Sequence, residues 1–118
     1  MVDDAPEITV LQLPKFKSEA TELIGADGIE AVAVYLIDYP DAGDVIPGAG
    51  GVRKLRWAAK GKGKRGGVRV VYFFLGGLGR IYMAEIYAKS RKETLSAADR
   101  NVLAKLAAQI KKAAKGGR

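Results

Sequence analysis

Apolar residues in the first 40 positions follow two different spacings. The segment EITVLQLP, residues 7–14, has a short apolar run that ends at a proline, which predicts a strand. Beyond it, apolar residues recur every three or four positions up to Gly25, and again from Asp27 to Pro40. This spacing predicts two amphipathic helices separated by Gly25, and therefore an N-terminal helical hairpin.

A second pattern begins after residues 41–51, whose glycines and proline predict a loop. Polar and apolar positions alternate in VRKLRWAA, residues 52–59, as expected of a strand with one face in solvent. The segment VRVVYFFL, residues 68–75, is apolar except for Arg69, which is typical of a central strand buried on both faces. With RIYMAEIYA at 80–88, these segments predict an antiparallel meander.

The last element is a helix that begins at Ser96. The spacing Ser96-x-x-Asp99 is that of a capping box, and apolar residues at helical spacing follow it. The complete order of elements predicts one α+β domain over residues 1–118, with its helices on one face of a small twisted antiparallel sheet.

Composition restricts the chemistry that is available. The 118 residues include neither cysteine nor histidine, which excludes disulfides, thiolate zinc sites and histidine acid–base catalysis. The N-terminal segment is acidic and has no apolar core, so we expect no secretory signal and a cytoplasmic location. Catalysis, if any, must use lysine, arginine, tyrosine, hydroxyl or carboxylate side chains.

Charge is divided unequally along the chain, although the net charge is +7. Residues 1–44 hold ten acidic and two basic residues, whereas residues 45–118 hold three acidic and eighteen basic ones. A solvated basic face usually has interspersed acids, so this density indicates an anionic partner such as a phosphate backbone. The basic residues between Asp44 and Glu85, where no acid occurs, are Arg53, Lys54, Arg56, Lys60, Lys62, Lys64, Arg65, Arg69 and Arg80.

Two phosphate-binding motifs can be excluded in this basic stretch. Residues 61–66 have the spacing GxGxxG, but they lead into a strand, whereas a dinucleotide fingerprint leads into a helix. The spacing of a P-loop is also absent. Lys54, Arg56 and Arg69 remain, on neighbouring predicted strands, where they could surround a phosphate group.

Arg69 and Tyr87 have alternative interpretations. A charge within an apolar strand is costly unless it lines a cleft or meets a partner, which favours a functional Arg69. Tyr87 is either a core aromatic residue or, if it points into the cationic cluster, a surface for base stacking or a proton-transfer group.

The order of elements and two segments strongly resemble the HigB-like branch of the RelE/ParE toxin superfamily of bacterial toxin–antitoxin systems. The segments are GDVIPGAGGVRKLRWAAKGKGKRGGVRVVYFF, residues 43–74, and IYAKSRKETLS, residues 86–96. The resemblance extends from about Phe16 to Leu106. It implies a microbial-ribonuclease-like fold and a metal-independent endoribonuclease, without cofactors, that cleaves mRNA in the ribosomal A site. It also implies a cognate antitoxin, expected to be a helix-turn-helix protein.

The resemblance places catalytic positions at Lys54, Arg56, Arg69 and Lys89, with Tyr87 as a further candidate. Some members have an aromatic residue further along, where this chain has Thr94 to Ser96. In the expected mechanism Lys54 is the base, because neighbouring cations favour its neutral form. Arg56 and Arg69 stabilise the phosphate, and one of them or Lys89 lies near the leaving oxygen.

The remaining cations are expected to bind RNA without taking part in catalysis. They are Arg53, Lys60, Lys62, Lys64, Arg65 and Arg80. Two alternative functions stay open at this point. One is a ParE-like toxin that inhibits DNA gyrase, and the other is a ribosome-associated protein that binds RNA without cleaving it.

Overall fold

A computed structural model describes residues 7–59, 67–91 and 94–116. It is a small α+β protein with two helices and a five-stranded mixed sheet among these residues. The elements in chain order are β1 Thr9–Gln12, α1 Pro14–Asp38, β2 Asp44–Val45, β3 Arg53–Trp57, β4 Val68–Leu75, β5 Arg80–Ala88 and α2 Ala97–Gly116.

The sheet has the order β1-β5-β4-β3-β2. Its centre is the antiparallel meander of β3, β4 and β5, as the sequence predicts. At one edge β1 pairs in parallel with β5, so the sheet is mixed instead of purely antiparallel. At the other edge β2 lies within the segment predicted as a loop, and its two residues pair with Lys54 and Arg53. The predicted sheet therefore lacked β2 and the parallel edge.

The predicted helical hairpin is not confirmed. Residues 14–38 form one 25-residue helix, α1, with an internal kink at Gly25, whose φ of 74° and ψ of 167° leave the helical region. The break at Gly25 was predicted. Apolar residues before the kink, such as Phe16, and after it, such as Leu36, pack in the same hydrophobic cluster on the sheet.

The two helices cover opposite faces of the sheet, so the prediction that they share one face is wrong. Val70 and Tyr72 of β4 pack in the cluster that contains α1 residues. Val71 and Phe73 pack in a second cluster, which includes Leu103 of α2. Because β4 is apolar on both faces, each face needs its own cover.

The start of α2 confirms the predicted capping box. The backbone N–H of Asp99 donates to Ser96 Oγ at 3.0 Å, and the backbone N–H of Ser96 donates to Asp99 Oδ2 at 3.1 Å. These bonds satisfy donors that a helix leaves unpaired at its start. Within the described part of the chain, neither helix is long and apolar enough to cross a membrane.

Candidate nucleic-acid interface

Arg56, Arg69 and Tyr87 form one row across the centre of the sheet. Arg56 of β3 is the register partner of Arg69 of β4, and Arg69 is the register partner of Tyr87 of β5. Residues that lie opposite each other in antiparallel strands extend their side chains to the same face. The pairing therefore brings two cations and a phenol together on the face that α2 covers in part.

Arg69 is the central member of this row and is buried, with 9% of its surface exposed. Its Nη1 donates a hydrogen bond to the Val68 carbonyl at 3.4 Å. Among the described residues, no carboxylate forms an ion pair with it. A buried guanidinium next to a second arginine is costly unless an anion binds there.

Two members of this row, Arg56 and Arg69, line an open cleft of about 620 Å³ at the edge of the sheet. β2 pairs only with Arg53 and Lys54, the first two residues of β3. Beyond Lys54, therefore, β2 does not cover the edge of β3. We call this space the cationic cleft. Its described lining consists of Tyr35, Leu55, Arg56, Trp57, Ala58, Arg69 and Lys89, and includes no acidic residue.

Lys89 reaches the cationic cleft because the pairing of β4 and β5 continues one residue past β5. The backbone N–H of Lys89 donates to the Gly67 carbonyl at 3.1 Å. Its side chain is exposed and lines the cleft together with Arg56 and Arg69. Three of the predicted catalytic cations therefore meet in one space.

Lys54 lies on the same face of β3 as Arg56 but lines a neighbouring cleft of about 500 Å³. Arg100 of α2 lines this second cleft with it, along with Thr94 and Leu95. The Arg100 Nη1 donates to the Leu95 carbonyl at 2.7 Å, which holds the guanidinium in place. Lys54, the expected base, thus lines a different cleft from Arg56 and Arg69. Arg100 is a further cation at this second cleft, and the sequence patterns did not single it out.

Tyr87 is a core residue, because only 4% of its surface is exposed and its ring packs in the second hydrophobic cluster. It therefore offers no face on which a base could stack. Burial raises the pKa of its hydroxyl; nearby Arg69 lowers it, while Glu85 and Asp99 raise it. The hydroxyl is accordingly protonated at neutral pH, but it is buried, and Tyr87 is not part of the described lining of the cationic cleft.

Two predicted RNA-binding arginines lie away from the cationic cleft. Arg53 faces the opposite side of β3 from Arg56, and its guanidinium donates to the Gly43 carbonyl at 2.8 Å and forms a 3.5 Å ion pair with Asp41. Arg80 begins β5, about 23 Å along the strand from Tyr87. Arg53 thus holds a turn, and Arg80 lies at the far end of the sheet.

The four cations predicted to bind RNA in the β3–β4 connection fall outside the described residues. They are Lys60, Lys62, Lys64 and Arg65.

The sequence analysis missed the aromatic part of the cleft. The alternation in residues 52–59 places Trp57 on the apolar face of β3, and the pattern of α1 gives no reason to single out Tyr35. In the structure both rings line the cationic cleft, with centroids 5.5 Å apart. The only available signal was that Trp57 directly follows Arg56 at the end of a strand.

No protein-family model matches the chain. The fold and the site define a small α+β protein with a cleft lined by arginine, lysine and aromatic side chains.

Proposed function

We propose that this protein is the toxin of a type II toxin–antitoxin system, with a RelE-like fold of the HigB-like branch. It acts as a ribosome-dependent endoribonuclease that cleaves mRNA in the ribosomal A site and thereby inhibits translation. The observation that carries the proposal is the pair of Arg56 and Arg69. Arg69 is buried without a carboxylate partner among the described residues, and both arginines line a cleft whose described lining has no acidic residue.

The side chains in the cleft suit RNA cleavage by the neighbouring 2′-hydroxyl. In that reaction the 2′-oxygen forms a bond to phosphorus, the bond from phosphorus to the 5′-oxygen breaks, and negative charge grows on the phosphate oxygens. Arg56 and Arg69 hold that phosphate and stabilise its developing charge, a function for which a planar guanidinium is suited.

Two proton transfers complete the reaction. Lys54 accepts the proton of the 2′-hydroxyl, and it lies about 7 Å along β3 from Arg56. Lys89 lies near the leaving 5′-oxygen. Lys89, which lines the cationic cleft, donates the proton that this oxygen needs.

The proposed biological setting follows from the resemblance of the sequence. The protein acts in the cytoplasm, where a cognate antitoxin from the same operon, expected to be a helix-turn-helix protein, covers the basic face. Binding of an acidic or amphipathic antitoxin segment there would exclude the ribosome and mRNA.

Primer extension on an mRNA engaged by purified ribosomes tests the proposal. We expect the protein to produce discrete cleavages within codons at the A site, and no cleavage of the same mRNA without ribosomes. Binding of RNA without cleavage would favour a non-catalytic RNA-binding protein. Inhibition of gyrase supercoiling without mRNA cleavage would favour the ParE-like alternative, and either outcome would overturn the proposal.

A further inference from the structure

Three aromatic rings form a continuous group at the edge of the cationic cleft. The ring of Tyr35 lies between those of Tyr39 and Trp57, with centroid distances of 5.1 Å and 5.5 Å and tilted planes in both pairs. We call Tyr35, Tyr39 and Trp57 the aromatic ledge. Two of its members come from the end of α1 and the third from the end of β3.

Two of the three rings of the ledge are exposed to solvent. Tyr39 exposes 59% of its surface and Tyr35 exposes 38%, while Trp57 is half-buried beneath them. These rings do not fill the hydrophobic core beyond the contact of Trp57 with it. Exposed aromatic surface of this kind indicates a binding site.

The ledge and the arginine pair belong to one cleft, because Tyr35 and Trp57 line the same space as Arg56 and Arg69. A ligand that fills the cleft therefore meets cations on one side and flat apolar rings on the other. A nucleotide combines a phosphate with an aromatic base, and aromatic rings beside a cationic groove are how proteins hold single strands.

The charges around the ledge decide which part of the nucleotide occupies each side. Asp38 and Asp41 flank Tyr39 in the sequence, and both are exposed. A phosphate is disfavoured beside these carboxylates and favoured between Arg56 and Arg69. The base, and not the backbone, is therefore the part that fits the ledge.

We propose that the aromatic ledge is a base-stacking subsite for single-stranded RNA whose backbone phosphate is held by Arg56 and Arg69. This inference deepens the proposed function and rests on it in one respect, namely that RNA enters the cationic cleft. It adds that the protein binds the base as well as the phosphate.

Trp57 provides a direct readout, because it is the only tryptophan in the chain. The full chain is titrated with a 2′-O-methyl RNA ten nucleotides long, which cannot be cleaved by its own 2′-oxygen, and with an abasic oligonucleotide of equal length and charge. We expect the RNA to quench Trp57 fluorescence and to bind about tenfold more tightly than the abasic strand, since one stacked base contributes about that much.

Variants locate the effect. Tyr35→Leu should lower the affinity for the RNA about tenfold and leave the affinity for the abasic strand unchanged, whereas Tyr35→Phe should bind as the wild type does. Tyr82→Leu, on the α2 face of the sheet and outside the cationic cleft, is the matched control and should change neither affinity. If circular dichroism shows that Tyr35→Leu is unfolded, the more exposed Tyr39→Leu replaces it.

Several results would contradict the proposal that RNA bases stack on the aromatic ledge. They are equal affinity of the wild type for both strands, unchanged Trp57 fluorescence, or RNA binding by Tyr35→Leu that equals the wild type. If Tyr35→Leu keeps RNA binding but loses a protein partner, the ledge is a protein interface and the inference is wrong. If RNA quenches Trp57 fluorescence in a base-dependent way but the protein does not cleave mRNA on ribosomes, the proposed ribonuclease activity is wrong and the base-stacking subsite stands. Failure of the subsite and failure of the proposed function can therefore be distinguished.

Discussion

Arg56 and Arg69 lie directly opposite each other on β3 and β4, and both side chains face the same side of the sheet. Like charges in this relationship destabilise a sheet, and Arg69 is also buried. The sequence therefore retains a pair that costs stability in the free protein. An anion bound beside the two guanidinium groups would offset that cost, as expected of a pair that serves binding and not folding.

Removal of one charge from this pair should stabilise the protein. We expect Arg56→Gln to raise the free energy of unfolding by about 0.2–1 kcal/mol, because it removes the repulsion and leaves Arg69 in place. Urea denaturation at low salt measures this change. Arg80→Gln, at the far end of β5, is the control and should change stability by less than about 0.5 kcal/mol. If Arg56→Gln is instead less stable than the wild type, Arg56 makes stabilising contacts within the protein that outweigh its repulsion by Arg69, and the prediction is wrong.

Tyr72 should be important for stability and unimportant for activity. Its hydroxyl donates to the Pro40 carbonyl at 2.8 Å and accepts from the Gly43 N–H at 2.9 Å, so it fastens the turn before β2 to the sheet. Its side chain is buried on the α1 face, away from Arg56 and Arg69. Tyr72→Phe should cost about 1–3 kcal/mol in thermal or urea unfolding, because a buried donor and acceptor lose their partner.

Tyr82→Phe is the comparison for this prediction. The Tyr82 hydroxyl accepts an exposed hydrogen bond from Arg80 at 3.3 Å, and its loss should cost less than about 0.5 kcal/mol. Equal losses in the two variants would contradict the role given to Tyr72, and so would a loss of mRNA cleavage in a folded Tyr72→Phe protein.

Stability should fall in alkaline solution through the buried tyrosines. Burial raises the pKa of Tyr72 and of Tyr87 above the usual value of about 10, so the folded state favours their neutral forms. Below about pH 10 the hydroxyls are protonated in both states and this stability is fully present. As the pH rises further, the unfolded chain ionises first, and the free energy of unfolding decreases until the folded tyrosines ionise too.

The variants Tyr72→Phe and Tyr87→Phe isolate this contribution. Each should make the decline of stability above about pH 10 less steep than in the wild type, whatever its stability at neutral pH. Urea denaturation at several pH values between neutral and alkaline provides the slopes. A slope unchanged by both substitutions would contradict the alkaline loss that we assign to these two hydroxyls.

Local patterns predicted the local parts of the structure. The alternation in β3, the apolar run of β4 and the glycines between strands were enough for the meander, and Ser96 with Asp99 were enough for the start of α2. The same alternation placed Arg56 and Arg69 on one face. These features depend on residues that are close in sequence or on the period of a strand.

The parts that sequence patterns missed depend on contacts between distant segments. A strand of two residues such as β2 has no period of its own and forms only because it pairs with β3. Tyr35 reaches the cleft only because α1 ends beside Trp57. Arg100 lines the cleft beside Lys54 only because α2 packs against this face of the sheet. None of these positions follows from spacing along the chain.

The central claim is that Arg69 serves RNA cleavage, and a ribosome assay with two matched arginine variants tests it most directly. Primer extension on ribosome-bound mRNA is compared for the wild type, Arg69→Ala and Arg80→Ala, after circular dichroism shows that each is folded. We predict that Arg69→Ala lowers the cleavage rate about 10²-fold to 10³-fold, because the transition state loses a preorganised charge, and that Arg80→Ala cleaves as the wild type does. A folded Arg69→Ala protein that cleaves mRNA at the wild-type rate would contradict the claim.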